Sequence, residues 1–594
     1  MTRTRKLAVW LAACLLAVAA GRAGFADEAI PSERRLPKNV VAFMSLRNVS
    51  DFKAQWSKTL FGQLERDDSL ADFRSDVEKQ LAEASQSLED RMGLSLDDLL
   101  SIPHGEIAAA AINGPGAKPA AVLFLDFGEH EEPLQKLLAK AAESAENDGV
   151  KRSEEEIEDT RVIVFQKPAE DVEKKSQELG AYFLKDTFLV LGTDLTAIKA
   201  VLSRWDGKHD RTLAENEVYR YILEKCRDEN ADSAPQLNWF IDPVAMVQAL
   251  VEVPQAQVAG QMGQILAAVP AMIPILGFDK FRGMGGTFDI ARGDYDMVSR
   301  TLVCLDRPSK GVVNLIQFDQ KAQAPPKWLS TDWSGYTGLN WNVGKAYTAV
   351  EGFVDMFQGP GTLAQMIQGL ADNENVGGIH LKKDVLDQIT GTVHLAHDDA
   401  GEKEDAADAF LVAVELKNVA AFRATLAKVA RIPGVKIKER EFQGEMIYEI
   451  EGGGGADDDD DDDGDGDEKQ FSMTIAESHL MVASRVRLLE RVLRGVADRE
   501  TLAESAAYKR IARQFPVQTA MISFSRQDTQ LKQFLEVLKG GHAGLPEGAL
   551  GSFDFSKLPD IQALKKYMPV SGGFMERDER GLKITSFSLR NSAE

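Results

Sequence analysis

Three cysteines in 594 residues cannot supply a disulfide framework. The fold has to be held by a buried core, and a chain of this length has ample residues to build one. Histidine is scarce as well, at eight. The short patterns that place a nucleophile, a phosphate or a zinc ion are missing: there is no G-x-S-x-G, no P-loop, no H-E-x-x-H and no C-x-x-C. Basic residues are in deficit, 69 against 93 acidic, which gives a formal charge of −24. Nucleic acid and anionic membrane surfaces repel such a polyanion, which argues against both as partners. Apolar and charged fractions of 44% and 27% are those of a globular chain and argue against general disorder.

Two apolar runs stand out, Leu7–Ala20 and Val258–Phe278. The first follows Arg3, Arg5 and Lys6 and precedes Gly24-Phe25-Ala26, the order of basic, apolar and small-residue regions in a secretory signal. It is shorter than the roughly 20 residues that span a bilayer. Residues 1–26 are therefore read as a signal peptide, and the mature chain as exported, periplasmic or extracellular. Leu11-Ala-Ala-Cys14 has the form of a lipoprotein box, but apolar residues follow it where a polar tether belongs, so lipid anchoring is not expected. Cleavage removes four basic residues and no acidic one, moving −24 to −28. Cys226 and Cys304 remain, and an oxidising compartment permits their pairing. Cys226 lies on the apolar face of a predicted helix, which favours a buried free thiol.

The chain repeats itself. Thr212–Ile222 and Thr501–Ile511 share six of eleven residues at an offset of 289. Further blocks keep nearly that offset. Ala121–Leu125 matches Phe410–Val414, the hairpin Phe183–Leu191 matches Met473–Val482, and Gly285-Gly286 matches Gly572-Gly573. Both hairpins lead into helices that open on a hydroxyl, Thr193 or Ser484, read as an N-cap. Each copy mixes close hairpins with helices, which predicts an α+β fold: a tandem duplication of an antiparallel-sheet domain with helices packed on one face. The first domain is 27–320, residues 321–327 with two prolines form a linker, and the second domain is 328–594. The cleft between the copies is the expected contact surface, since ligands favour such clefts.

The repeat also interprets the conspicuous segments. The acidic run 452–468 falls between two strands, where the first copy has the shorter charged connection 167–177. It reads as a solvated loop whose like charges repel. Asp459, Asp461, Asp463 and Asp465 are its candidate metal ligands, at the spacing of an opening EF-hand loop. Gly466 and Gln470 then break the pattern at the eighth and twelfth positions, so the reading goes no further than a weak Ca2+ site. Val258–Phe278 contains prolines, and its counterpart 539–564 is interrupted by charge. A buried or partner-facing helix fits better than a membrane span, so none is expected in the mature chain. His394 and His397 fall on a predicted strand, where residues three apart face opposite sides, which argues against a shared metal. Gly283–Gly286 reads as a tight turn rather than a phosphate cradle.

The opening segment carries Leu36-Pro37, Asn48-Val49, Phe52, Trp56, Thr59, Gly62-Gln63-Leu64, Asp67-Asp68 and Phe73. Leu558-Pro559 and Gly572-Gly573 lie near its end. These residues resemble an uncharacterised family of secreted planctomycete-type bacterial proteins, a domain of unknown function. The resemblance agrees with export and implies no active site or ligand. Three function classes stay open. The first is a non-catalytic exported protein that binds or scaffolds an unidentified protein or envelope component without a cofactor. The second is an extracytoplasmic hydrolase whose site is assembled from distant residues. The third is a calcium-responsive adhesion protein that uses the acidic loop.

Overall fold

A computed structural model describes residues 30–590 apart from 114–118, 169–176, 229–232, 252–269, 310, 374, 376, 399–408, 435, 451–470, 496–498, 527–553 and 560. The first half contributes β1 (Val40–Leu46), β2 (Ile107–Asn113), β3 (Pro119–Asp126), β4 (Lys151–Ile157) and β5 (Thr160–Lys167). It continues with β6 (Gln177–Lys185), β7 (Phe188–Gly192), β8 (Leu237–Ile241), β9 (Phe281–Arg292) and β10 (Tyr295–Leu305). The second half supplies β11 (Gly335–Asn340), β12 (Ile389–His397), β13 (Phe410–Leu416), β14 (Ile437–Phe442) and β15 (Glu445–Ile450). It ends with β16 (Phe471–Ala476), β17 (His479–Ala483), β18 (Met521–Arg526), β19 (Val570–Asp578) and β20 (Gly581–Leu589). The fold is α+β, and all pairings between these strands are antiparallel.

Across the first half the strands run β4-β5-β6-β7-β3-β2-β1-β8-β9-β10. Across the second they run β14-β15-β16-β17-β13-β12-β11-β18-β19-β20. The two orders agree position for position. β10 and β20 pair from Tyr295↔Leu589 to Cys304↔Gly581, so one continuous sheet crosses both halves. Its outer strands are β4 and β14, with the sequences KRSEEEI and IKEREF. Charge of this density on an edge strand opposes pairing with further strands.

Strand composition explains the layers. β10 alternates strictly, burying Asp296, Val298, Arg300, Leu302 and Cys304. Its buried polar members are compensated in part: one Asp296 oxygen accepts the Leu60 N–H at 2.8 Å, and Arg300 pairs with Asp228 at 2.8 Å. β3 and β7 lie inside the sheet and are apolar on both faces, so both faces need cover. On one face Val122, Phe124 and Val190 meet Ile198, Val201 and Leu202 of the helix Leu195–Leu202 and Tyr219 and Ile222 of the helix Glu217–Cys226. On the other, Leu125 and Leu189 meet Leu134 of the helix Glu131–Asn147. The second half does the same, with Leu488, Leu489 and Ile511 over one face and Phe422 and Leu426 over the other. The expectation of helices on one face is thus corrected to helices on both.

Two local expectations also change. Thr193 and Ser484 do not cap helices. Their hydroxyls accept the backbone N–H groups of Ala121 and Phe410, each at 3.0 Å, and tie the helix entry to the neighbouring strand. Asp194 is the N-cap in the first half, and the second has no side-chain cap. Gly283–Gly286 form no tight turn but lie within β9, where the paired glycines mark close strand approach: a Cβ on Gly286 would lie 1.9 Å from the Arg300 carbonyl oxygen. Residues 321–327 run along the second half, where the Lys321 and Thr519 backbones exchange hydrogen bonds of 3.1 and 3.0 Å. Gln323 Nε2 also donates to the Thr519 carbonyl at 2.9 Å.

Gly581 opens β20 at φ +154, and a Cβ there would stand 1.8 Å from the Val303 carbonyl oxygen of β10. Gly581→Ala should therefore destabilise the protein by about 3–4 kcal/mol through backbone strain and overpacking. Gly293 has φ +57 and open space around it, so Gly293→Ala should cost only about 1–2 kcal/mol. Denaturant unfolding of both variants checks the difference.

Candidate functional site: a groove at the seam of the two halves

The chain leaves β10 at Leu305, whose N–H donates to the Arg580 carbonyl at 2.6 Å. It then forms the 3-10 helix Gly311–Ile316. The helix Val343–Gln358 follows β11 and is capped by Asn342, which accepts the Lys345 N–H at 3.0 Å. Trp341 Nε1 donates to the Leu315 carbonyl at 2.7 Å, and the Asn342 N–H donates to the Gln317 carbonyl at 2.8 Å. These bonds hold the connection against the second half. Between them and the β19–β20 hairpin lies a groove of about 670 Å³, inside the range of small-ligand sites.

Residues from both sides of the seam line this groove. Leu305, Asp306 and Arg307 come from the end of the first half, and Ile316 and Phe318 from the connection. Lys345 and Ala349 come from the helix, and Arg577, Gly581 and Leu582 from the hairpin. Asp306 pairs with Arg282 at 2.5 Å. Among the described residues Lys345 and Arg577 form no ion pair, and Arg307 donates to a backbone carbonyl, that of Asp578, at 2.9 Å. Asp578 is occupied elsewhere, accepting from the Tyr221 hydroxyl at 2.5 Å and the Arg580 N–H at 2.9 Å. No sequence signal marked Arg307, Lys345 or Arg577. They are single exposed cations, and Arg577, more than two hundred residues beyond the other two, reaches them through the pairing of β10 with β20.

A second cluster sits on the inner face of the second half. His394 and His397 do fall on opposite faces of β12, one buried and one exposed. The partner of His394 is His479 of β17, with ring centroids 5.3 Å apart. Trp328 packs edge-on against both rings, and the Tyr336 hydroxyl lies 3.0 Å from His394 Nδ1. Glu415, directly opposite His479 in the β13–β17 ladder, accepts the Thr390 hydroxyl at 2.6 Å. Burial, reinforced by the charge of His479 and opposed by that of Glu415, pushes the His394 imidazole down to about 4. Burial acts to raise Glu415, but its hydrogen bonds to Thr390 and Thr392 and the charges of both histidines prevail and hold it below the usual range. Equivalence of the two hairpins could have placed His479 opposite Glu415, but nothing in the sequence linked it to His394.

Other chemistry is thin. Among the described residues no three histidine, cysteine or acidic side chains are placed to hold a metal ion. Asp459, Asp461, Asp463 and Asp465 lie outside the described residues, between β15 and β16, whose ends pair as Ile450↔Phe471. Much of Val258–Phe278 and of its counterpart 539–564 is outside them too. No described helix is long and apolar enough to cross a membrane. Cys226 and Cys304 are buried free thiols, pushed by burial up to about 12 and about 11, so neither is a thiolate near neutral pH. Ser50 Oγ lies 3.2 Å from His104 Nδ1 but also 3.0 Å from the His104 carbonyl. Ser50 is buried, and neither residue lines the groove.

No family model, curated protein or solved structure matches the chain.

Burial of His394 sets a pH dependence. His394 is neutral when folded and free to protonate when unfolded, so below an unfolded pKa of about 6.5 the unfolded state binds the extra proton. Stability should fall as pH drops from about 6.5 towards 4, by an amount of the order of 3 kcal/mol. His394→Gln should flatten this slope in urea unfolding measured across that window. A wild-type slope no steeper than the variant's would contradict the assignment.

Proposed function

We propose that the protein is a non-catalytic, exported binding or scaffolding protein, built from two copies of one α+β domain, whose ligand occupies the seam groove. The single observation that carries the reading is that this groove is lined from both halves. Agreement of the two strand orders, together with the shared segments at an offset near 289, supports duplication. Placing the copies side by side creates a cleft that neither has alone, which is where ligands commonly bind. The N-terminal signal pattern supports export, and the absence of a recognisable catalytic motif in the sequence supports binding over turnover.

The uncharged dye N-phenylnaphthylamine tests the site. It should bind the purified protein saturably, with rising fluorescence. Ala349→Trp, which places an indole in the groove, should abolish that binding while leaving the melting temperature within about 2 °C. Unchanged dye binding in this variant would remove the groove as the site. Turnover of a generic ester or peptide substrate, lost on a point mutation, would replace binding by catalysis.

A further inference from the structure

We infer that the seam groove selects a small amphipathic anion, a molecule with a carboxylate, sulfonate or phosphate head on an apolar body. This deepens the proposal above and rests on it. The first ground is charge. In a chain with 93 acidic and 69 basic residues, the groove wall has three cations, Arg307, Lys345 and Arg577, and one carboxylate. That carboxylate, Asp306, is committed to Arg282, which is not part of the wall. Asp578 is not part of the wall, and its Oδ1 accepts from the Tyr221 hydroxyl and the Arg580 backbone N–H. No free acid is left in the wall to repel an incoming anion.

The second ground is what lies between the cations. Ile316 lines the groove with 44% of its surface exposed, and Phe318, Ala349 and Leu582 extend the apolar wall. An inorganic anion would leave this surface wet, and a neutral apolar molecule would leave the cations unused. One molecule carrying both features satisfies both. The overall negative charge of the protein does not prevent entry, because it is screened beyond about 8 Å at physiological ionic strength, whereas the groove cations would act at contact distance. A groove of about 670 Å³ admits a molecule of this size but not a folded domain, and the anionic character of the whole chain disfavours a nucleic acid.

The test compares two dyes that differ by one charged group, anilinonaphthalene sulfonate and neutral N-phenylnaphthylamine. The sulfonate should bind about tenfold more tightly, the equivalent of one good charge contact. The double variant Arg577→Gln with Lys345→Gln, at two exposed positions, should bring the sulfonate down to the affinity of the neutral dye. It should leave the neutral dye within about twofold and the melting temperature unchanged. Decanoate should compete with the sulfonate, and decyltrimethylammonium should not. Displacement by phosphatidylglycerol vesicles but not by decanoate would move the same head-group chemistry to a lipid source and overturn the free small molecule. Equal affinity of the two dyes, or charge variants that shift both alike, would overturn the anion inference while leaving the groove as a site. Ala349→Trp leaving both dyes bound would instead overturn the underlying reading.

Discussion

Everything distinctive in this molecule depends on the pairing of β10 with β20. The last strand of the first half and the last strand of the second lie side by side in antiparallel register. The pairing is a matter of side chains as well as backbone. Val298, on a first-half strand, is buried within the core of the second half, and Tyr295 meets the ring of Phe587 at 5.4 Å. Burying such a valine stabilises by about 1.5–3 kcal/mol, so the seam is supported by apolar contact as well as by its ladder. The helical arm of the first half adds a second contact. Phe73 stacks on Phe555, and Asp76 and Asp67 pair with Lys557 and Lys566. The lysines of those ion pairs are exposed to solvent, so the pairs add little. The ladder and the apolar contacts set the relative placement of the halves, and that placement forms the groove.

The same sheet has to stop at its ends. Among the described residues the twenty strands leave two edges, and both are strands of dense charge, β4 and β14. These are the elements that sequence patterning passed over. An edge strand exposed on both faces has no apolar alternation to detect, and Lys151–Ile157 is exposed almost throughout. Strands with one buried face were legible for the opposite reason. Leu237–Ile241 alternates strictly between buried and more open positions, because a half-buried strand must alternate. The second layer of helices was less legible. The apolar content of Phe188–Leu191 is continuous, and continuity does not say which face a helix will cover.

Site residues were legible only where local geometry decided them. The period of a strand separated His394 from His397 correctly. Long-range assembly was beyond reach. The His394–His479 pair joins β12 and β17 across β13, and the groove cation Arg577 lies more than two hundred residues beyond Arg307 and Lys345. Composition even pointed away from a cationic groove, since the chain as a whole is acidic. Whole-chain charge describes long-range repulsion, whereas a site is determined by the few groups that face it.

The two halves fill one strand order with different side chains. Tied to Leu213 and Leu502 by matching backbone bonds, Leu36 and Leu329 occupy corresponding places. The residue before each differs. In the first half Arg35 lies over the rings of Trp205 and Phe188, at 3.7 and 4.6 Å. In the second, Trp328 lies against His394 and His479. Phe188 and His479 hold the same position in the ladder, opposite Asp126 and Glu415. An aromatic surface and a cationic or protonatable group therefore persist at this end of the sheet, with their chain positions exchanged. Packing and charge are matched there as a pair while the individual residues differ. That is the behaviour of a structural core under a volume and charge constraint, and it sets this cluster apart from the groove. There three cations share a wall with apolar surface and one carboxylate, Asp306, that is committed to Arg282, a combination that packing alone does not require.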